Sequence, residues 1–183
     1  GGRLHKVETL GIDTGMGFER LAMILQNKKN IFETDVFSGI SEKIKEFAPE
    51  ADERTKRILM DHLRSSIFLI GDGIRPSNKE AGYVLRRLIR KILAYSIKCD
   101  IHADLFALAV DVFKEQFGKV YPELKKSKDI LDVLEEEKLK FESAVAGGIK
   151  EMRGYENISG KDAFRLYESF GLPFEIIKEL APE

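Results

Sequence analysis

Apolar residues recur at three- and four-residue intervals along most of the chain, a period that predicts a mainly helical protein. The N-terminus differs: residues 7–12 read as a short strand, leading into a glycine turn at Gly15 and Gly17. Leu21, Ile24 and Leu25 then share one face of a helix over about 19–26. Thr34 and Asp35 are capping residues for a helix running to about Phe47, with Val36, Phe37, Ile40 and Ile44 inward and Pro49 closing it. Ile58, Leu59, Leu63, Ile67 and Ile70 predict a helix over about 53–70, which Gly71-Asp72-Gly73 ends because glycine accepts a left-handed backbone.

A second helix restarts after Pro76. Ser77-Asn78-Lys79-Glu80 has the spacing of a capping box, serine followed three residues later by glutamate. Val84, Leu85, Leu88, Ile89, Ile92 and Leu93 form its core face, while Arg86, Arg87, Arg90 and Lys91 lie on the other side. Leu105, Leu108, Ala109, Val112 and Phe113 predict a helix within 101–118. The longest pattern covers about 129–153, with Ile130, Leu134, Phe141, Val145, Ile149 and Met152 inward. Gly147-Gly148 within it either bends the helix or lets another backbone approach closely. Short helices over 161–170, ended by Gly171 and Pro173, and over 175–180 complete the chain.

At 183 residues the chain is long enough for one domain or two small ones. Its 43% apolar and 33% charged residues are those of a folded globular protein, which excludes a disordered or fibrous one. No apolar run nears the roughly 18 residues that a membrane span requires, and no signal peptide opens the chain. The single cysteine, Cys99, allows no intrachain disulfide and fits a reducing, cytoplasmic location. With a Gly-Gly start and no initial methionine, an excised fragment is the expectation.

The net charge of −1 hides an uneven distribution. Residues 54–98 hold eleven Lys/Arg against three Asp/Glu, a local +8, between an N-terminal stretch of −3 and a C-terminal stretch of −6. A basic block of this kind attracts phosphate; the competing interpretation is a solvated helix face. Asn78 stands at the mouth of the basic helix, where an amide serves either as a helix cap or as a group aimed at a base edge. Gly11 to Arg20 lacks the Gly-Lys-Ser/Thr of a phosphate-binding loop, yet Arg20 near a helix start suits phosphate oxygens. His5, His62 and His102 show no metal-ligand spacing among themselves or with Cys99, so no metal site is assigned. His62 beside Asp61 reads as a structural hydrogen bonder.

Three segments resemble the alanyl-tRNA synthetases. Gly15-x-Gly17-x-Glu19-Arg20 is similar to motif 3 of class II aminoacyl-tRNA synthetases in its alanyl form. Arg64-Ser65, Asp72-Gly73, Pro76-Ser77-Asn78, Gly82 to Arg87 and Ile89-Arg90 resemble the centre of the family's tRNA-recognition domain. Ala163 to Pro173 resembles its Phe-Arg-Leu-Tyr-Asp segment. They occur in family order and together span nearly the whole chain.

The resemblance implies a mainly α fold: a helical tRNA-recognition domain over 28–183, divisible at 100/101, after a strand-turn-helix remnant of the catalytic sheet over 1–27. It implies that Arg20, with Gly15 and Gly17, contacts ATP, and that Asn78 and position 168 read a G·U pair in the acceptor stem of alanine tRNA. An amide offers donor and acceptor, a carboxylate accepts from the exocyclic amine of guanine, and the shallow minor groove of A-form RNA exposes that amine. Arg86, Arg87, Arg90 and Lys91 would grip the RNA backbone. Glu168 departs from the family's aspartate by one methylene, which lengthens its reach by about a bond. Tyr167 and Phe170, at helical spacing, read as core. The parent enzyme would ligate alanine to its tRNA through alanyl-adenylate, using ATP and Mg²⁺. Motifs 1 and 2 are absent here, so the fragment needs the rest of the catalytic domain as partner, has no complete catalytic site and is expected to be inactive and cofactor-free alone. The family's editing domain would begin beyond Glu183. From the residues alone, a helix-turn-helix DNA-binding module or a helical protein-interaction scaffold remain alternatives.

Overall fold

In the computed structural model the periodic pattern becomes seven α-helices and two short 3-10 turns, with no strand, among the described residues. The described residues are 5, 9, 11–152, 154, 155, 157–172, 174, 177 and 178. The expected strand over 7–12 lies largely outside them, as does most of the expected helix over 175–180; Gly11 and Ile12 belong to no regular element. The chain divides into two compact units, residues 1–38 and 39–183.

The first unit contains α1 (Phe18–Leu25), a 3-10 turn at Ile31–Glu33 and the start of α2 (Asp35–Phe47). Helix α1 forms where expected, but Leu21, Ile24 and Leu25 are exposed and Ala22 is its buried residue. The period thus located the helix and not its burial, because eight residues cover little surface by themselves. The junction before α2 is also built differently from the expected Thr34 cap. The Thr34 hydroxyl donates back to the Ile31 carbonyl, and Gln26 accepts from the Asp35 backbone N–H at 3.0 Å while its Nε2 donates to Asp35 Oδ1 at 2.6 Å.

The second unit is organised by α3 (Glu53–Gly71), α4 (Glu80–Lys98), α5 (Leu105–Phe117), α6 (Ser127–Met152) and α7 (Gly160–Phe170). Asp52 caps α3 by accepting from the Thr55 N–H at 2.8 Å, and that bond holds the Asp52 carboxyl below its ordinary pKa. At the other end, Gly73 takes φ +92 and its N–H reaches the Ile70 carbonyl, while Ile74 N–H reaches Leu69. This left-handed stop turns the chain directly into α4, and the two helices share the most extensive contact in the unit. Helix α6 is the strut against which α3, α4, α5 and α7 all pack.

Leu59, Leu63, Ile67, Leu85, Ile89, Ile92, Ile130, Leu134 and Phe141 are buried as the helical period requires. Ile58, Leu88 and Leu93 sit half-buried at the edges of that stripe, and the Ile149 side chain lies outside the described ones. Val84 is a correction: it is exposed, because the buried line runs through Gly82, Leu85, Ile89 and Ile92, about 100° per residue away from it. The inward face of α5 is likewise rotated, with Phe106 and Val110 buried and Leu108 and Val112 half-buried. Phe68 packs edge-on against Phe113, Phe117 and Tyr121, with Arg64 over Phe68 and Phe117, joining α3 to α5.

Helix α7 begins with a capping box, Ser159 with Asp162, and ends at Gly171 with φ +66. Its C-terminal turn drops Leu172 onto Gly148, so the group that comes close is a side chain and not the backbone expected there. A Cβ on Gly148 would run into the fully buried Leu172 side chain, whereas one on Gly147 would meet Phe170 at an ordinary 3.5 Å. Gly148→Ala is therefore expected to lower the unfolding free energy by about 1–3 kcal/mol. Gly147→Ala should be neutral or stabilise by up to about 1 kcal/mol. Urea titration of the two variants checks the contrast; equal effects would exclude the close-approach explanation.

Candidate nucleic-acid interface

The turn between α3 and α4 is a braced loop. Arg75 donates to the Ile70 and Ile74 carbonyls at 3.2 and 3.1 Å, pinning the turn to the end of α3. The expected capping box at Ser77 and Glu80 does not form. The N-cap of α4 is Lys79 without a side-chain cap, and Glu80 takes φ +49. Ser77 is used to brace the turn instead: its N–H reaches the Gly82 carbonyl at 3.0 Å and its hydroxyl donates to the Lys79 carbonyl at 3.0 Å. Gly82 is required there, since a Cβ would strike the Arg75 carbonyl and the Ser77 side chain. Asn78 is left at the exposed tip, where its Oδ1 accepts from Arg86 Nη1.

The basic face of α4 separates into two pairs. Arg86 and Arg90 converge on Glu137 of α6, whose side chain is 4% exposed, with Nε to Oε1 distances of 3.3 and 2.6 Å. Arg90 is itself mostly covered, lies over the Phe141 ring, and donates to the Gly171 carbonyl at 3.4 Å. These two charges are thus largely engaged inside the protein. Arg87 is exposed, with its guanidinium 5.7 Å from the Tyr83 ring, and Lys91 is half-buried.

Helix α7 is brought against this surface. Tyr167 hydrogen-bonds to the Tyr83 hydroxyl, and that bond, helped by the Arg87 charge and opposed by desolvation, holds the Tyr83 pKa below its ordinary value. Tyr167 and Phe164 are exposed, a correction to the core role expected of Tyr167; Phe170 does pack against the buried cluster of α4, α6 and α7. Glu168, next to Tyr167, is exposed and makes no hydrogen bond or ion pair among the described residues. Tyr167 of α7 thus meets Tyr83 of α4 beside Arg87, while Asn78 and Glu168 are both exposed. Sequence reasoning missed Glu137, Tyr83 and Tyr167. A lone glutamate facing inward on α6, in line with Leu134 and Phe141, was the available signal for the first.

In the first unit, Gly17 is the N-cap of α1 at φ −65, so it does not use the left-handed freedom of glycine. Arg20 lies in the first turn, exposed, with its aliphatic stem folded back to about the position of a Gly17 Cβ, 3.6 Å away. Gly15 is exposed with open space around it. His62 pairs with Asp61 at 2.9 Å and His102 with Asp100 at 3.4 Å. Among the described residues no three His, Cys, Asp or Glu side chains gather as a metal site, and no helix is long and apolar enough to cross a membrane.

Comparison with known proteins points the same way as the motifs. Residues 1–183 match the family described as tRNA synthetases class II (A). An alanine–tRNA ligase of Elusimicrobium minutum is 39% identical over 191 residues, covering 98% of this chain and 22% of the relative. Those of Stenotrophomonas maltophilia and Thermotoga maritima are 38% and 36% identical, covering 94% and 100% of this chain and 20% and 22% of theirs. The chain spans about a fifth of the length of these relatives.

The Tyr83–Tyr167 bond yields a test that needs no ligand. Tyr83 should ionise below pH 10, because its hydrogen-bonded phenolate is favoured in the fold. Tyr167→Phe removes the donor and should raise that midpoint, read by ultraviolet titration of tyrosinate. An unmoved midpoint would mean the two helices are not joined there. By linkage, a lowered folded pKa adds stability only as pH rises towards 10, so stability at neutral pH should not depend on it.

Proposed function

Because this chain belongs to the class II tRNA synthetases, within the alanyl-tRNA synthetase family, we propose that it supplies the acceptor-stem-reading part of an enzyme that ligates alanine to its tRNA through alanyl-adenylate. The observation that supports this proposal is the Tyr167–Tyr83 contact, which joins α7, the helix of Glu168, to the basic helix α4 that follows Asn78, with Asn78 and Glu168 both exposed. The minor groove of an A-form stem is wide and shallow, and a G·U wobble offers both acceptors and the guanine amine there. Asn78 and Glu168 are assigned the two base contacts. Arg87 and Lys91 are assigned the phosphates, and Arg86 and Arg90 add to the local positive field while being held within the protein.

Residues 1–27 are assigned on the same basis to the end of the aminoacylation domain and 28–183 to the tRNA-recognition domain. Arg20 fits an ATP-phosphate contact, as an exposed guanidinium on the first turn of a helix, the end towards which backbone N–H groups point. Mg²⁺ belongs to the parent enzyme's chemistry, and no residue of this chain is assigned to it. The missing catalytic elements would come from the rest of that enzyme, acting in the cytoplasm.

The chain is expected to bind an RNA hairpin copying the alanine acceptor stem, and to bind it more weakly when G·U is replaced by G·C. Asn78→Ala should remove most of that preference, a loss of roughly tenfold for one good base contact. Arg87→Ala should weaken both hairpins alike and reduce the salt slope by about one. Equal affinity for both hairpins and for duplex DNA would leave a general phosphate binder.

A further inference from the structure

We propose that Glu137 is a positioning residue that holds both base readers, Asn78 and Glu168, in register; the inference rests on the acceptor-stem function proposed above. A carboxylate with 4% of its side chain exposed is tolerable only where cations and donors surround it. Glu137 has two such partners, Arg86 and Arg90, and each leads to one reader.

The first arm runs from Glu137 to Arg86 to Asn78. A guanidinium has only donors, so the amide atom facing Arg86 Nη1 is the oxygen, and the amide NH₂ points away from it. Asn78 therefore turns its NH₂ donors outward, with one lone pair of its oxygen already taken by Arg86. Held in that orientation it is set to meet a minor-groove acceptor, purine N3 or pyrimidine O2, in preference to accepting from the guanine amine. Accepting falls to the carboxylate, Glu168. The second arm runs from Glu137 to Arg90 to the Gly171 carbonyl, at the C-cap of α7 and three residues after Glu168. The approach is close enough that a Cβ at Gly171 would collide with Arg90 Nη1. One carboxylate on α6 thus fixes which atom Asn78 shows and where the helix carrying Glu168 ends. Preorganisation of this kind gives discrimination because a freely rotating amide could satisfy either base pair.

Glu137→Gln and Arg86→Lys in the 183-residue chain test the coupling. Glutamine keeps the size and an acceptor but removes the charge that gathers two arginines. Lysine keeps the charge at 86 but cannot fork between Glu137 and Asn78, and it leaves the Arg90 arm intact. Binding is measured to the G·U and G·C hairpins well below each variant's melting temperature. Both variants are expected to lose roughly tenfold of G·U preference, read as the ratio of the two hairpin affinities so that a general change in RNA binding cancels. If Glu137→Gln does not fold, Arg86→Lys carries the test through its own arm. Variants that keep the full preference while Glu137→Gln melts earlier overturn the proposal and leave Glu137 a structural ion pair. A wild-type chain with no G·U preference overturns the proposal together with the function it rests on.

Discussion

A single buried carboxylate organises the part of this molecule that faces its candidate ligand. Glu137 draws Arg86 and Arg90 of α4 onto α6, and through Arg90 it reaches the end of α7. Burying such a group is unfavourable unless its charge and lone pairs are matched, so its partners are held far more tightly than surface arginines. Removing the carboxylate would leave two guanidiniums without a counter-charge in a region that α4, α6 and α7 all share. The hydrophobic cluster of Ala94, Phe141, Val145, Leu166 and Leu172 supplies the burial that makes this ion pair strong, and the ion pair aligns the helices over that cluster.

Close backbone approaches complete the arrangement. Gly148 admits Leu172, Gly82 admits the Arg75–Ser77 turn, and Gly171 takes a left-handed turn against Arg90. Each stands where a larger residue would push α7 or the α3–α4 turn outward, and both of those elements carry a proposed base contact. The basic block consequently has two physical roles. Arg86 and Arg90 are structural cations whose field is partly cancelled, while Arg87 stays exposed over Tyr83 and Lys91 is half-buried. Composition counted them all as one patch.

Much of the fold was legible in the residue pattern. The helices over 35–47, 53–71 and 160–170 begin or end within a few residues of their expected positions, and Gly73 stops its helix in the left-handed conformation expected there, as Gly171 also does. Failures cluster where local and tertiary demands compete. Ser77 and Glu80 have capping-box spacing, yet Ser77 is spent bracing the turn against Gly82, while the same box forms at Ser159 and Asp162 where nothing competes. Val84 and Tyr167 look like core by period but lie on the outward surface of α4 and α7. Tyr83 and Glu137 were not singled out at all, because their partners lie on other helices.

By itself the sequence determined the helical class, the helix ends set by glycine, the concentration of positive charge in 54–98, and the motifs that relate the chain to its family. All of these depend on residues within one or two helical turns of each other, the range over which period, capping and charge density act. Only the tertiary structure decided which arginines are engaged, which atom of Asn78 faces outward, and that Tyr167 meets Tyr83. Apart from the Asn78–Arg86 bond, eight positions apart, those outcomes turn on contacts between residues 47 to 84 positions apart, such as Arg90 with Glu137 and Tyr83 with Tyr167. No local pattern encodes such pairs, because packing of α4, α6 and α7 around a shared core chooses them.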